Sequence, residues 1–264
     1  MSVKMWPLRP GVSFNTCTYI LQFGLPIPYL IWRIFWALYH VVWIILSGVY
    51  SWQWAGHDPA QQIKWFIYLT DWCYFVLTVA TLVDAVSVVY VLVRRKDISK
   101  GECETMSWYL QVNWVLFNVA NSSALLVSLL YWGLIYGPNE NMTAVNIETH
   151  ALNSVYVIIN VLVTAVPIRL YHFFHGVIYA ITYVLFTLIY YLAGGTNEDG
   201  KPYVYSTIDW RDTGFTVGLS LAVTFVAMPV VHTIFWALYK LRVFLFSKCS
   251  RNSDSVDIPM NKLP

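Results

Sequence analysis

The stretch WFIYLTDWCYFVLTVATLVDAVSVVYVLV, residues 65–93, decides the fold of this chain. Its only charged side chains are Asp71 and Asp84, and the basic run Arg94-Arg95-Lys96 follows it directly. About 20 apolar residues in a helix cross the roughly 30 Å of hydrocarbon in a bilayer, so this run is long enough to span a membrane. Its apolar residues are continuous instead of alternating with polar ones, which excludes the strands of an outer-membrane barrel.

Runs of the same kind recur along the whole chain. Apolar residues make up 58% of the 264 positions and charged residues 11%, whereas charged residues form about a quarter of a soluble domain. We therefore predict an all-α polytopic membrane protein, in which six transmembrane helices surround a polar-lined intramembrane cavity. The predicted spans are Tyr29 to Val49, Trp65 to Val93, Trp108 to Tyr136, Glu148 to Ile168, Gly176 to Ala193 and Gly214 to Tyr239.

The basic residues predict the orientation and the domain limits. Most of them fall in alternate connecting segments, and the positive-inside rule places those segments and both termini in the cytoplasm. The membrane is predicted to be the plasma membrane or the endoplasmic reticulum. Residues 1–28 are predicted to form a cytoplasmic interfacial arm, because their prolines oppose a regular helix. Residues 29–246 form the transmembrane domain, and residues 247–264 form a polar, disordered tail.

Two positions have the surroundings of modification sites. Asn141-Met142-Thr143 is a glycosylation sequon in a short outer loop. Cys249 follows the last span, where it is either an S-palmitoylation site or a free cytoplasmic thiol. No pair of cysteines faces the oxidising compartment, and no motif indicates a metal, another cofactor or a nucleic acid.

Polar side chains inside the predicted spans indicate helix contacts or a ligand cavity, because unpaired polar groups are costly in a membrane. Arg33 and Asp84 are the charged examples, and they are expected to pair with each other or to contact ligand or water. Asn118 and Asn153 belong to polar stripes on the third and fourth spans. The simpler interpretation is that these amides only hydrogen bond one helix to another.

A threonine and a histidine occur at two span entrances on the same predicted side of the membrane. Thr70 follows the entrance at Lys64, and His150 follows the entrance at Glu148. A positioned imidazole is the usual base for activating a hydroxyl, so the two residues are a candidate nucleophile and base. The alternatives are a Thr70 hydroxyl that bonds within its own helix and a His150 that caps its span or bonds to a neighbour.

Several motifs resemble the rolling stone family of multispan membrane proteins, whose namesake is associated with fusion of muscle precursor cells. They are KWFIYLTDW at residues 64–72, HALNS at 150–154, FTLIYYLAGGT at 186–196 and PYVY at 202–205, followed by Asp209-Trp210. The resemblance extends from about Tyr29 to Phe246.

A more remote resemblance is to the androgen-induced family of six-span threonine hydrolases, which cleave fatty acid esters of hydroxy fatty acids. That family has a Trp-Lys-Phe-Leu-Thr entrance to its second span and a Met-His-Thr-Thr entrance to its fourth. Leu69-Thr70 and Thr149-His150 stand at the matching places, although Ala151-Leu152 replaces the Thr-Thr pair. The resemblance implies that Thr70 and His150 form the catalytic pair.

Two functions follow as hypotheses. The first is an intramembrane hydrolase of lipid esters that uses Thr70 as nucleophile and His150 as base, with a membrane lipid or fatty acid ester as its ligand. Asn153, Asn118, Asp84 and Arg33 are then candidates for contacting the substrate or its oxyanion. The second is a non-catalytic protein of cell contact or myoblast-type fusion that acts through its outer loops. The sequence does not determine the oligomeric state.

Overall fold

The computed structural model describes residues 26–95, 98, 106–137, 142–164 and 166–256, with side chains at all of these except 26, 54 and 246–256. Helices dominate this part of the chain and no strand occurs in it, which confirms the all-α prediction. The α-helices are α1 Pro26–Trp54, α2 Pro59–Gln62, α3 Leu69–Arg94, α4 Trp108–Leu130, α5 Ala144–Ile147, α6 Asn153–Val163, α7 Phe173–Leu192, α8 Thr213–Ala222 and α9 Met228–Val256.

Three π-helical turns join or extend these helices without ending them. Tyr131–Ile135 continues α4, Glu148–Leu152 connects α5 to α6, and Val223–Ala227 connects α8 to α9. A π turn inserts one extra residue into a helix and is often found at functional sites. All three turns contribute residues to the cavities described below.

Five of the described helical segments are long and apolar enough to cross a membrane, and they confirm a polytopic protein. Their outward faces carry exposed apolar side chains such as Leu38, Val86 and Ile189, each at least 60% exposed. Apolar surface on this scale is not stable in water but is stable against lipid. The segments are Ile27–Gln53, Leu69–Arg94, Trp108–Ile135, Leu170–Leu192 and Thr213–Leu245.

The fourth predicted span is a helix made of α5, a π turn and α6, and it lies alongside α4. Near its start, the carbonyl of His150 accepts a hydrogen bond from Trp132 Nε1 at 3.2 Å. Beyond its end, the carbonyl of Pro167 accepts one from Trp114 Nε1 at 2.8 Å. The segment therefore runs antiparallel to α4 over most of the length of α4. Because its separate pieces are short, the total of six spans stays a prediction.

Helix α4 is the centre of the bundle and the most buried of the five long segments. It contacts α3 on one side and α6, α7 and α9 on the other, while α1 packs on α3. Small buried residues on α4, including Ala120 and Ala124, let the neighbouring helices approach closely.

The helices at both ends extend past the predicted limits of the transmembrane domain, and those limits stay predictions. Helix α1 is described from Pro26, three residues before the predicted limit at 29. At the other end α9 continues to Val256, ten residues beyond the predicted limit at 246. A helix satisfies its own backbone hydrogen bonds in lipid and in water, so it need not end at the membrane surface. The rest of the predicted arm and tail, residues 1–25 and 257–264, lies outside the described residues.

Candidate functional site

Two adjoining cavities lie at the end of the bundle where α3 begins. The outer cavity encloses about 1030 Å³, part of which is open to solvent. The apolar cavity has about 820 Å³ of space, including space open to solvent, and extends between α3, α4, α7 and α8–α9. Four residues line both cavities, namely Thr70, Tyr131, Ile135 and Tyr205. These four residues therefore mark the boundary between a polar compartment and an apolar one.

The loop after α7 forms part of the wall of the outer cavity. Glu198, Asp199 and Tyr205 from this loop line the cavity wall. Lys64 holds the loop in place, because its ammonium donates to Thr196 Oγ1 at 3.1 Å and to the carbonyl of Asn197 at 2.7 Å. The loop is therefore tied to the entrance of α3 instead of standing free.

Thr70 is the second residue of α3, and its place differs from the predicted one. Residues Ile63–Ile67 form a separate 3-10 turn, and Tyr68 is extended, so α3 begins at Leu69 instead of at Trp65. Thr70 therefore lies in the first turn of its helix, and not five residues after its start. The reason is a cap from another element, because the Tyr205 hydroxyl accepts a hydrogen bond from the Leu69 amide at 2.9 Å.

The Thr70 side chain also lies close to the Tyr205 hydroxyl and lowers its pKa, though less than burial raises it. Burial raises the pKa of Tyr205, so its hydroxyl stays protonated at neutral pH. This hydroxyl therefore contacts both the first amide of α3 and the candidate nucleophile. Sequence reasoning did not assign Tyr205 a role, although the PYVY motif contained it.

His150 lies in the π turn between α5 and α6. The helix starts at Ala144, where the Thr143 hydroxyl accepts from the Asn146 amide at 3.1 Å, so His150 is not at the helix start as predicted. The imidazole stacks on the Tyr131 ring with centroids 3.7 Å apart and planes 2° apart. The side chain is 4% exposed, and Nδ1 has no hydrogen-bond partner among the described residues. The stacking fixes the plane of the ring, and Nδ1 is left without a bond.

The structure thus brings Thr70 and His150 to the wall of one cavity. They come from helices far apart in the chain, and each is held by a tyrosine that lies at the boundary of the two cavities. A hydroxyl and an imidazole in one water-accessible cavity are chemically able to act as nucleophile and base. Their catalytic role stays a prediction.

The two candidate oxyanion amides lie elsewhere. Asn153 donates to the carbonyl of Thr149, and its Oδ1 accepts from Ser128 and Ser154. Asn118 donates to the carbonyl of Trp114 at 2.7 Å. Neither is among the described residues that line the outer cavity. Each amide nitrogen already donates to a carbonyl of its own helical segment, so both asparagines have structural hydrogen bonds.

Arg33 and Asp84 form the ion pair that was one of their two expected roles. Arg33 Nη1 lies 2.5 Å from Asp84 Oδ2, and both residues are buried. Further hydrogen bonds extend the pair across four helices. Arg33 donates to Asn160 Oδ1 at 2.7 Å, to Thr164 Oγ1 at 2.7 Å and to the Tyr29 hydroxyl at 2.5 Å. Asp84 Oδ1 accepts from Asn113 at 3.0 Å. These contacts assign the pair to helix association, away from the described lining of the outer cavity.

Glu148 is a buried acid that sequence reasoning used only to mark the start of a span. It is 1% exposed, and its carboxylate accepts from the Tyr39 hydroxyl at 2.6 Å and from the Tyr74 hydroxyl at 2.9 Å. The two tyrosines lie on α1 and α3, so Glu148 ties the π turn that carries His150 to both helices. The sequence feature that could have identified Glu148 is the presence of an acidic residue in an otherwise apolar run.

The two predicted modification sites fall outside these contacts. Asn141 lies outside the described residues. Cys249 lies on the last part of α9, where the backbone is helical and the side chain is outside the description. Both assignments stay predictions.

Comparison with known proteins gives the family. The family model described as "Protein rolling stone" matches residues 19–255. The chain belongs to the rolling stone family. It is 34% identical to the Drosophila melanogaster protein called "Protein rolling stone" over 226 residues, which cover 81% of this chain and 78% of the fly protein. No solved structure matches the chain. The rolling stone resemblance of its motifs is thereby confirmed, while the resemblance to the androgen-induced hydrolases stays a prediction.

Proposed function

We propose that this rolling stone family member is an intramembrane hydrolase of lipid esters, with Thr70 as nucleophile and His150 as base. The observation that carries the proposal is the position of Thr70 at the boundary between the apolar and the outer cavity. An acyl chain in the apolar cavity brings its ester carbonyl to this boundary, while the alcohol portion extends into the outer cavity. Placing the reacting atoms in this way is a large part of what an enzyme must do.

The proposed reaction has two steps. Thr70 Oγ attacks the ester carbonyl as His150 accepts the hydroxyl proton, and the carbon–oxygen bond to the alcohol breaks as His150 returns that proton to the leaving oxygen. A water molecule from the outer cavity then attacks the acyl-threonine, and His150 again transfers the proton. The products are a fatty acid and an alcohol.

Tyr68 is our candidate for the oxyanion donor, in place of the asparagines. The Tyr68 hydroxyl belongs to a residue that lines the outer cavity, and it is buried with no partner among the described residues. Its ring contacts that of Tyr205, with centroids 5.5 Å apart. A donor that is already desolvated loses little on meeting a developing negative charge, which is what stabilises such an intermediate.

The test is labelling of the purified protein with a fluorophosphonate probe, followed by ester hydrolysis assays. Thr70→Ser keeps the hydroxyl, so labelling persists, whereas Thr70→Ala and His150→Ala abolish it. Their losses do not add, because a nucleophile and its base act as one unit. Thr78→Ala is the matched control, because Thr78 is a buried threonine of the same helix that donates to the carbonyl of Tyr74. Equal labelling of Thr70→Ala and the unmodified protein contradicts the proposal.

The second candidate is a non-catalytic protein of cell contact or myoblast-type fusion. It is supported by membership of the rolling stone family and by the ordered outer loop, in which Asn197 Oδ1 accepts from the Asp199 and Lys201 amides. Fusion activity that survives Thr70→Ala and fails after exchange of loop 194–212 favours this function. Fusion activity lost in Thr70→Ala favours the hydrolase.

A further inference from the structure

Three acidic side chains line the outer cavity. Asp71, Glu198 and Asp199 line it, and no lysine or arginine is among its described lining residues. The nearest described cation that acts on Glu198 is Lys64, whose ammonium is already bonded to the loop. Partial burial, and to a lesser extent Asp199, raise the pKa of Glu198, while Lys64 offsets this only in part. Any molecule in this cavity therefore meets carboxylates on two sides.

The same wall is rich in aromatic rings. Tyr50, Trp65, Tyr68, Tyr131 and Tyr205 all line the outer cavity. The negative faces of such rings attract cations, and trialkylammonium groups in particular are recognised by aromatic side chains combined with acids. The quaternary trimethylammonium group of choline has four carbons on its nitrogen and no N–H to donate, so it suits a wall of rings better than a wall of hydrogen-bond acceptors.

Asp71 and His150 show that the cavity is built to receive a polar group. Asp71 is 8% exposed and is held by the Ser47 hydroxyl, which in turn accepts from Trp65 Nε1 at 2.9 Å. His150 is 4% exposed, and its Nδ1 has no partner among the described residues. Buried polar atoms without partners are rare in folded proteins, and an ester oxygen of a bound lipid, unlike its ammonium group, is able to bond this nitrogen.

We infer that the outer cavity binds the trialkylammonium group of a choline-type lipid whose acyl chain lies in the apolar cavity. A lipid with a free carboxylate, such as a fatty acid ester of a hydroxy fatty acid, meets the acidic side chains of Glu198 and Asp199 at the same place and is disfavoured. The inference concerns the charge of the ligand and uses the cavity of the proposed hydrolase. The inference requires only that the lipid binds, and it does not depend on whether the lipid is cleaved.

The experiment measures binding in the Thr70→Ala protein, so that hydrolysis plays no part. The full chain in neutral-lipid nanodiscs is crosslinked to a photoreactive lysophosphatidylcholine, and unlabelled palmitoylcholine, choline and palmitate compete. Palmitoylcholine is expected to compete best, because it has the cation and the chain. Choline alone competes weakly, since it lacks the chain, and palmitate competes weakly, since its charge is repelled. Palmitate that competes as well as palmitoylcholine overturns the inference about charge, and choline that does so overturns the role of the chain.

Glu198→Gln and Asp199→Asn test the carboxylates at loop positions where folding is not at risk. Each is expected to weaken competition by palmitoylcholine about threefold to thirtyfold, the range that cation contacts of this kind provide. Asp58→Asn is the control, because Asp58 is an exposed acid outside the cavity and asparagine keeps its bond to the Ala60 amide. If all three variants behave alike, the carboxylates of the cavity do not bind the lipid. Loss of fluorophosphonate labelling with normal lipid binding would contradict only the proposed hydrolase.

Discussion

Separating Arg33 from Asp84 tests whether this pair holds the bundle together or serves the ligand. Asp84→Leu leaves a guanidinium that is 2% exposed without its counter-ion. Removal of one partner from a buried ion pair costs about 3 to 5 kcal/mol. Arg33 keeps hydrogen bonds to Asn160, Thr164 and Tyr29. The expected loss is therefore near the lower end, about 3 kcal/mol, and it lowers the Tm by about 6 to 12 °C.

The double variant makes the prediction specific. Arg33→Met with Asp84→Leu removes both charges, so no buried charge is left unpaired. It leaves Asn113 without its acceptor and Asn160 without its donor, at about 1 kcal/mol each. We expect the double variant to be about 2 kcal/mol less stable than the unmodified protein and more stable than Asp84→Leu alone.

Cys73 supplies the assay. It is a buried free thiol, so a thiol-reactive dye reaches it only when the bundle unfolds. Thermal unfolding is followed in detergent with the other three cysteines replaced by serine. A double variant as unstable as the single one, or an Asp84→Leu protein as stable as the unmodified protein, refutes the reasoning. A double variant that is stable but no longer binds lipid indicates that Arg33 and Asp84 contact the ligand.

Three further outcomes are expected. Tyr205→Phe removes the hydroxyl that contacts Thr70 and caps α3, so fluorophosphonate labelling falls at least tenfold while stability falls by only about 1 kcal/mol; normal labelling contradicts this. Gly176→Ala lowers stability by about 1 to 3 kcal/mol, because the added methyl lies 2.6 Å from Met228 Sδ. Adding Met228→Ala to this variant relieves the crowding, and thermal unfolding measures both effects. A protease site at the C-terminus is cut only after cells are permeabilised, because the basic residues predict a cytoplasmic terminus; cleavage on intact cells reverses the orientation.

The start of α3 shows where the sequence was sufficient and where it was not. Continuous apolar residues predict a spanning helix here, because lipid requires the backbone to bond internally. The sequence does not show that the helix begins at Leu69, because the group that caps its amide is the Tyr205 hydroxyl, distant in the chain. That cap moves Thr70 from the body of the span to its entrance.

The sequence by itself determined a polytopic helical membrane protein with rolling stone motifs, and it indicated Arg33, Asp84, Thr70 and His150 as candidate site residues. Each of these depends on composition or on local motifs, which can be interpreted one segment at a time. Only the tertiary structure decided that Thr70 lies at the boundary of two cavities and that His150 stacks on Tyr131. Cavity walls and ring contacts arise from helix packing, where side chains far apart in the chain meet.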